Sequence, residues 1–372
     1  MKSIVVDNLR FIHSTHTLVR CLGILSKYVK TIGSNQTPKE ILKQQLIHWS
    51  AELEGKSEEY KNHNGKLTNK KKPTTAFNKY VDLLEGLGLV TSFGHVLSNT
   101  RLGSLLSLFT KGKDDFDFPL NFQEKLFFLY LLIQKDADVI VVILQTLNKA
   151  VGPVNQAYMQ MGFETSIEDR LQLKEKFATI QAKQMIGEKL RVIQYEWTKP
   201  EVYSEHIIAP RLEWLADLGL VEMRKQAGNT LYNISGKGEI FYKSLDDLQG
   251  YEMKDINEDW LIHKAFACFA VTLLDRSTIS YWGNISLPER KSIMKNYLLQ
   301  TYKLFSTGGA MRMALYPSML YISMKLLAEK GIVIEFKEIA DELKETLTID
   351  DKSFIIRPSP RLTEAYISVK AK

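Results

Sequence analysis

The chain has 372 residues, 45% of them apolar and 25% charged, with a formal net charge of +6. That suits a protein with real hydrophobic cores and, at roughly 100–200 residues per domain, two or three domains. Its longest apolar runs, 126–133 and 139–144, fall short of the roughly 20 residues that cross a bilayer. MKSIVVDNLR places Asp7 and Arg10 where a signal-peptide core would stand, and the two cysteines, Cys21 and Cys268, lie outside any CxxC or Cys/His cluster. The expectations are a cytoplasmic chain without a disulfide framework, structural zinc or other cofactor.

Helical patterning runs through 9–30 and 38–53. Between Lys61 and Lys79 stand Lys61, Lys66, Lys70, Lys71, Lys72 and Lys79 with no Asp or Glu, so this segment carries as much excess charge as the whole chain. A basic stripe on a neutral body is a footprint of a polyanion-binding face. A solvated lysine loop accounts for it equally well.

Residues 75–109 read as helix, strand, turn, strand, helix. Thr74 or Thr75 can cap a helix through Phe77, Tyr80, Val81, Leu84 and Leu87. Strands at 89–93 and 96–98 flank Gly94, and NTRLGSLLSLF (99–109) leaves as another helix. Segments 122–134 and 138–150 read as a helix pair broken near Asp136, and 166–188 as one long amphipathic helix.

The pattern then returns. Pro210 suits the first turn of a helix, with Leu212, Leu215, Leu218 and Trp214 on its apolar face. A strand at 220–224, a turn of Gln226, Ala227, Gly228 and Asn229, and a return strand with Leu231, Asn233 and Ile234 follow. SGKGEIFYKSL (235–245) opens the next helix. Helical segments at 251–274 and 288–305 lead to a third, looser copy. It has a helix at 319–330 and a strand at 332–336. An acidic insertion with Glu338, Asp341, Glu342, Glu345, Asp350 and Asp351 comes next, then a return strand at 354–357 and an exit through RPSPRLTEAYISV (357–369).

One phrase marks each copy: LLEGLGLV (83–90), WLADLGLV (214–221) and LLAEKGIV (326–333). Gly88, Gly219 and Gly331 stand where a helix needs a left-handed residue to stop, and the branched residues behind each suit a half-buried strand. Helix, strand, turn, strand is the second half of a winged helix, and nothing shows the strand–helix alternation of a parallel sheet. The expected fold is mainly α with small β-hairpins, as tandem winged-helix units with helical additions. Its domains would be 1–120 (N-terminal helices and first winged helix), 121–250 (second, with a helical insertion) and 251–372 (C-terminal helices and a third, divergent copy).

In such a unit the helix before the hairpin can enter the major groove while the wing follows phosphates or the minor groove. The first unit leaves Asn78, Lys79 and Asp82 facing outward. Asparagine can pair with adenine and lysine can reach guanine acceptors. NKKKPTT (69–75) would bring Lys70, Lys71 and Lys72 to the phosphates, with Thr75 beside them. In the second unit His206 and Arg211 are expected to face outward, and Arg224, Lys225 and Asn229 to lie on the wing. The acidic third copy suits packing or a protein partner.

RLEWLADLGLV, its basic wing and Y-x-I-S-G-K-G (211–238) resemble the DNA-recognition regions of type IIS restriction endonucleases. So does FQEKLFFLYLLIQKDADVIVVILQTLNKAVGPVNQAYMQMGF (122–163). The resemblance implies winged-helix-like subdomains, with 138–150 and 153–162 as the first two helices of the second and 209–219 completing it. That family also carries a metal-dependent cleavage domain marked by Asp and Glu-x-Lys on adjacent strands. Here only IVIEFK (332–337) offers a similar phrase, Glu335 and Lys337, without a preceding strand Asp. The resemblance therefore implies a reader of double-stranded DNA whose cutting, if any, belongs to a separate nuclease or effector subunit.

Other chemistry falls away. His13 and His16 have a metal-compatible spacing but no third ligand. Asn62, His63 and Asn64 lack a partner histidine. FSTGGAMR (305–312) lacks the lysine of a phosphate-binding loop and reads as a helix break. The leading expectation is a non-catalytic DNA-binding protein of a restriction or anti-phage system. The alternatives are an architectural subunit docking proteins in a larger complex, and a cryptic metal-dependent nuclease using Glu335.

Overall fold

The computed structural model describes residues 22–53, 73–110, 112, 118–226, 228–306, 312–344, 347–349, 352–357 and 365–371. These residues are mainly helical with small, mostly antiparallel sheets. The chain divides into two units, Met1–Glu258 and Asp259–Lys372, and the first contains both segments expected as separate domains at 1–120 and 121–250.

The first unit opens with α1 (Leu22–Ile32), β1 (Thr37–Pro38), α2 (Lys39–Leu53), α3 (Pro73–Gly86), β2 (Val90–Phe93), β3 (Val96–Asn99) and α4 (Arg101–Phe109). The strands form one antiparallel sheet in the order β1–β3–β2. Asn99 ends β3 and donates its amide to the carbonyls of Val29 (2.7 Å) and Gly33 (2.8 Å), satisfying the last turn of α1.

The order then repeats with an insertion. α5 (Phe122–Lys149) starts in a capping box of Asn121 and Glu124 and kinks at Asp136 (φ −143°, ψ 25°), where the sequence predicts a break. β4 (Val154–Asn155) and α6 (Gln156–Gln160) follow. The insertion is α7 (Phe163–Phe177), α8 (Ile180–Arg191) and a π-helical turn (Val192–Glu196). Then come α9 (Pro200–Asp217), β5 (Val221–Gln226), β6 (Asn229–Ile234) and α10 (Gly236–Lys243). Their sheet order, β4–β6–β5, is that of the first copy. Short strands β7 (Asp246–Asp247) and β8 (Lys254–Asp255) pair antiparallel.

Two expectations need correction here. The segment 166–188 is two helices rather than one, because Thr179 accepts from the Ala182 N–H and caps a new helix. Pro210 lies inside α9 and not at its start, which belongs to Pro200. Buried packing around 207–215 holds the helix together across the N–H that proline lacks.

The repeated phrase works the same way in both copies. Gly88 (φ +72°) and Gly219 (φ +79°) end α3 and α9 in the left-handed conformation. The next N–H groups, of Leu89 and Leu220, turn back to Leu84 and Leu215 at 2.8 Å. Thr100 then donates its hydroxyl to Gly88 O (2.6 Å) and accepts from Gly103 N (3.1 Å). Ser235 donates to Gly219 O (2.7 Å) and accepts from Gly238 N (3.0 Å). One hydroxyl thus closes a helix and caps the next.

In the second unit, α11 (Glu258–His263) straddles its boundary and α12 (Ala265–Leu273), β9 (Ser280–Tyr281), α13 (Leu287–Phe305), β10 (Arg312–Ala314), α14 (Leu315–Lys330) and β11 (Ile332–Val333) follow. α15 (Phe336–Glu342), β12 (Leu347–Ile349), β13 (Lys352–Arg357) and β14 (Tyr366–Ala371) complete it. The third hairpin expected from sequence does not form. Gly331 does end α14 in the left-handed conformation, but β11 pairs in parallel with β9 and the chain turns straight into α15. Phe354–Arg357 belongs to a separate sheet, ordered β10–β14–β13–β12. In the two earlier copies the outer strands also run parallel, with the hairpin's return strand between them. Here, among the described residues, no strand lies between them and β9 and β11 pair directly.

Candidate nucleic-acid interface

α3 is amphipathic throughout. Ala76, Phe77, Tyr80, Val81, Leu83 and Leu84 are buried, while Thr74, Thr75, Asn78, Asp82 and Glu85 are exposed and Lys79 is half-buried. Tyr28 of α1 fixes the buried face, its ring lying 6.2 Å from Phe77 and 5.9 Å from Tyr80. Because the helix begins at Pro73, Thr75 is an exposed residue of its first turn and not its cap. The following hairpin turns tightly through Gly94 (φ +57°) and His95, and Glu85 accepts from Ser92 N at 3.0 Å, tying hairpin to helix. Lys70, Lys71 and Lys72 lie outside the described residues, as do Cys21, His13, His16 and His63.

α9 differs sharply. Every residue from Ile207 to Leu212 is buried, so the middle of the helix is enclosed on all sides, with α5, α6 and α7 packed against α9. Counted back from the glycine of the repeated phrase, Asn78 and Lys79 correspond to Ala209 and Pro210, both buried. Thr74 and Asp82 correspond to Glu205 and Glu213, both half-buried.

Arg211, expected to face outward, is 1% exposed and is corrected to a core residue. It corresponds to Tyr80, and its guanidinium bonds both oxygens of Asp136, the Ile207 carbonyl (2.8 Å) and the face of Trp214 (5.4 Å). Burial pushes the Asp136 carboxyl upward, against the opposing pull of Arg211.

A second buried cluster joins α5, α7 and β8. Arg170 donates to Asp138 (2.6 Å), Asp255 (2.8 Å) and the Lys254 carbonyl, and Lys174 lies 2.7 Å from Asp138 and 3.4 Å from Asp255. Burial alone would raise the Asp138 carboxyl, but Lys174 and Arg170 hold it well below the usual carboxylate range. Sequence reading missed this cluster. Its signal was the pair Asp136 and Asp138 inside apolar runs, with Arg170 and Lys174 one turn apart on a helix.

The second hairpin stands out into solvent. Its strands pair over six residues each, against four in the first, and Glu222, Met223, Arg224, Lys225 and Gln226 are consecutively exposed. Arg224 meets the exposed Glu222 at 3.2 Å. Lys225 pairs across the hairpin with Thr230, and Asn229 with Gln226 at the tip.

Glu335 and Lys337, the nuclease-like phrase, sit at the start of α15. Glu335 is 6% exposed; its oxygens accept from the backbone N–H groups of Phe266 (3.2 Å) and Ala267 (2.7 Å). Burial raises its carboxyl to about 7. Lys337 pairs with Asp341 on the same helix. Among the described residues no set of three His, Cys, Asp or Glu could hold a metal ion, and no helix is long and apolar enough to cross a membrane.

No family model matches the chain, and neither does any curated protein or solved structure.

Proposed function

We propose that the chain is a non-catalytic, cytoplasmic reader of double-stranded DNA, built on tandem winged helices. It would serve as the recognition component of a restriction or anti-phage system. The observation that carries this is α3: a rigidly packed helix whose outward face shows Thr75 and Asn78, with Lys79 beside them, and which leads directly into a hairpin. Such a helix end fits base edges in the major groove. The Lys70–Lys72 run just before it matches the phosphates flanking such a groove. The buried, backbone-bonded Glu335 gives the nuclease alternative no comparable support.

A mobility-shift titration of the whole chain on duplex, single-stranded and RNA probes at two salt concentrations tests the proposal. Duplex DNA should bind best, with steep salt weakening. Asn78→Ala should lower discrimination between duplexes while leaving nonspecific binding in place. Equal affinity for all probes, or none, would overturn it.

The insertion favours a protein partner in addition. Ile180 (79% exposed), Met185 and Tyr195 (76%) stand exposed on α8 and the π-helical turn. A separate nuclease or other effector subunit is the partner this suggests, and co-purification lost on Ile180→Asp and Tyr195→Asp would support it.

A further inference from the structure

We infer that the two copies in the first unit divide the work of DNA binding. The α3 helix alone reads bases, and the second copy touches DNA only through its β5–β6 hairpin, which clamps the phosphate backbone. This rests on the proposed DNA-reading function and extends it.

The two copies expose different groups. In the first, the helix shows polar side chains, while the short hairpin carries no formally charged residue between Val90 and Asn99. In the second the pattern inverts. The middle of its helix is walled in, with alanine and proline buried at the positions where α3 shows Asn78 and Lys79. Among the positions of α9 that reach solvent, beside Val202, Tyr203 and His206, are Glu201, Glu205 and Glu213, whose charge would repel a phosphate chain.

The second hairpin has the opposite character. Two extra residues per strand, at about 3.4 Å each, carry its tip roughly 7 Å further out than the first. Both faces of β5 are open over Glu222–Gln226, so this ribbon is not there to cover a core. Arg224 and Lys225 stand on that projection opposite Leu231 and Thr230, with Asn229 facing Gln226 at the tip. The exposed Arg224–Glu222 contact is weak and leaves guanidinium donors for a phosphate oxygen. Lys237, exposed at the start of α10, adds a further cation close behind in sequence. A projecting ribbon with cations and polar amides, and with only one acid, is complementary to a phosphodiester backbone. It offers little to a hydrophobic protein groove.

The test uses the full chain and fluorescence anisotropy on two labelled duplexes of about 30 base pairs, one random in sequence and one recovered by selection with the wild-type protein. Arg224→Ala/Lys225→Ala should weaken both by the same factor, about tenfold, and lower the slope of log K against log salt by about 1.8. The selected sequence should stay the same. Glu205→Ala/His206→Ala on α9 should leave the selected sequence unchanged. Unchanged affinity and slope in the hairpin variant, while the wild type binds duplex, would overturn the division of labour and leave the DNA-reading proposal standing. A changed preference in the α9 variant would do the same. Failure of the wild type to prefer duplex DNA over RNA would overturn both. The substituted side chains are exposed or half-exposed, so unchanged thermal melting of each variant confirms that binding, and not folding, is being read.

Discussion

Arg211 grips both carboxylate oxygens of Asp136 from the centre of α9, and Asp136 is the residue at which α5 kinks. The pair pins the second copy's helix to the kink of α5, the longest helix among the described residues. Removing one partner leaves the other charged and buried, which typically costs about 3–5 kcal/mol. Arg211→Ala should therefore lower the urea midpoint strongly, while Arg211→Met/Asp136→Leu should recover much of the loss. The surviving folded protein should keep its salt slope for DNA. A selective drop in DNA affinity at unchanged stability would return Arg211 to the surface role expected from sequence.

Gly103 and Gly238 make a matched pair of predictions. A Cβ at Gly103 would stand 2.1 Å from Leu89 O, and one at Gly238 would stand 2.1 Å from Leu220 O, both backbone atoms that cannot swing aside. Gly103→Ala and Gly238→Ala should each destabilise by about 1–3 kcal/mol or more. Gly236→Ala, with nothing within 4 Å, should be neutral or stabilise by roughly 0.5–1 kcal/mol. Chemical denaturation of the three variants side by side checks the contrast.

The same glycines explain what could be read from sequence. Helices that end in a left-handed glycine and turn into paired strands are local events, so the hairpins after Gly88 and Gly219 were legible from the repeated phrase. The third phrase failed because its outcome depends on partner strands: β11 found β9, and no return strand was adjacent to intervene. Arg211 was misassigned by charge alone. Counting from Gly219 puts it at the register of Tyr80, a core position, and the repeat itself therefore predicts burial. What no local pattern revealed is that α7 and its neighbours would enclose α9, because that follows from tertiary packing of an insertion.

The buried cluster around Arg170 should act as a clasp on the insertion. Asp255→Asn leaves Arg170 and Lys174 facing one carboxylate in place of two, with excess positive charge out of water. The expected cost is about 3–5 kcal/mol, with faster proteolysis within α7 and α8. Adding Lys174→Gln to Asp255→Asn should restore part of the loss by rebalancing charge. If the single variant melts like the wild type, the clasp contributes nothing.

Stability should also fall as pH rises toward neutrality, and buried carboxyls with raised pKa values, Asp217 and Glu335 among them, carry the effect. Asp217 accepts from Leu22 N at 2.9 Å, tying the end of α9 to the start of α1. Burial raises its carboxyl to about 7, and Glu335 is raised to the same region for the same reason. A group whose folded pKa exceeds its unfolded value binds more protons in the folded state. Its stabilising contribution is therefore complete below the unfolded value near 4 and is lost as pH climbs through about 7. Asp138 runs the other way: its lowered pKa stabilises above about 4 and is lost in acid. Melting temperature should thus peak in mildly acidic buffer and decline to a plateau above about pH 8. Asp217→Asn keeps an acceptor for Leu22 N but cannot ionise, so it should shrink the decline between pH 5 and 8 and match or exceed the wild type at pH 8. Differential scanning calorimetry across that range decides it, and an unaltered profile in the variant would show that Asp217 is already ionised in the folded protein at pH 5.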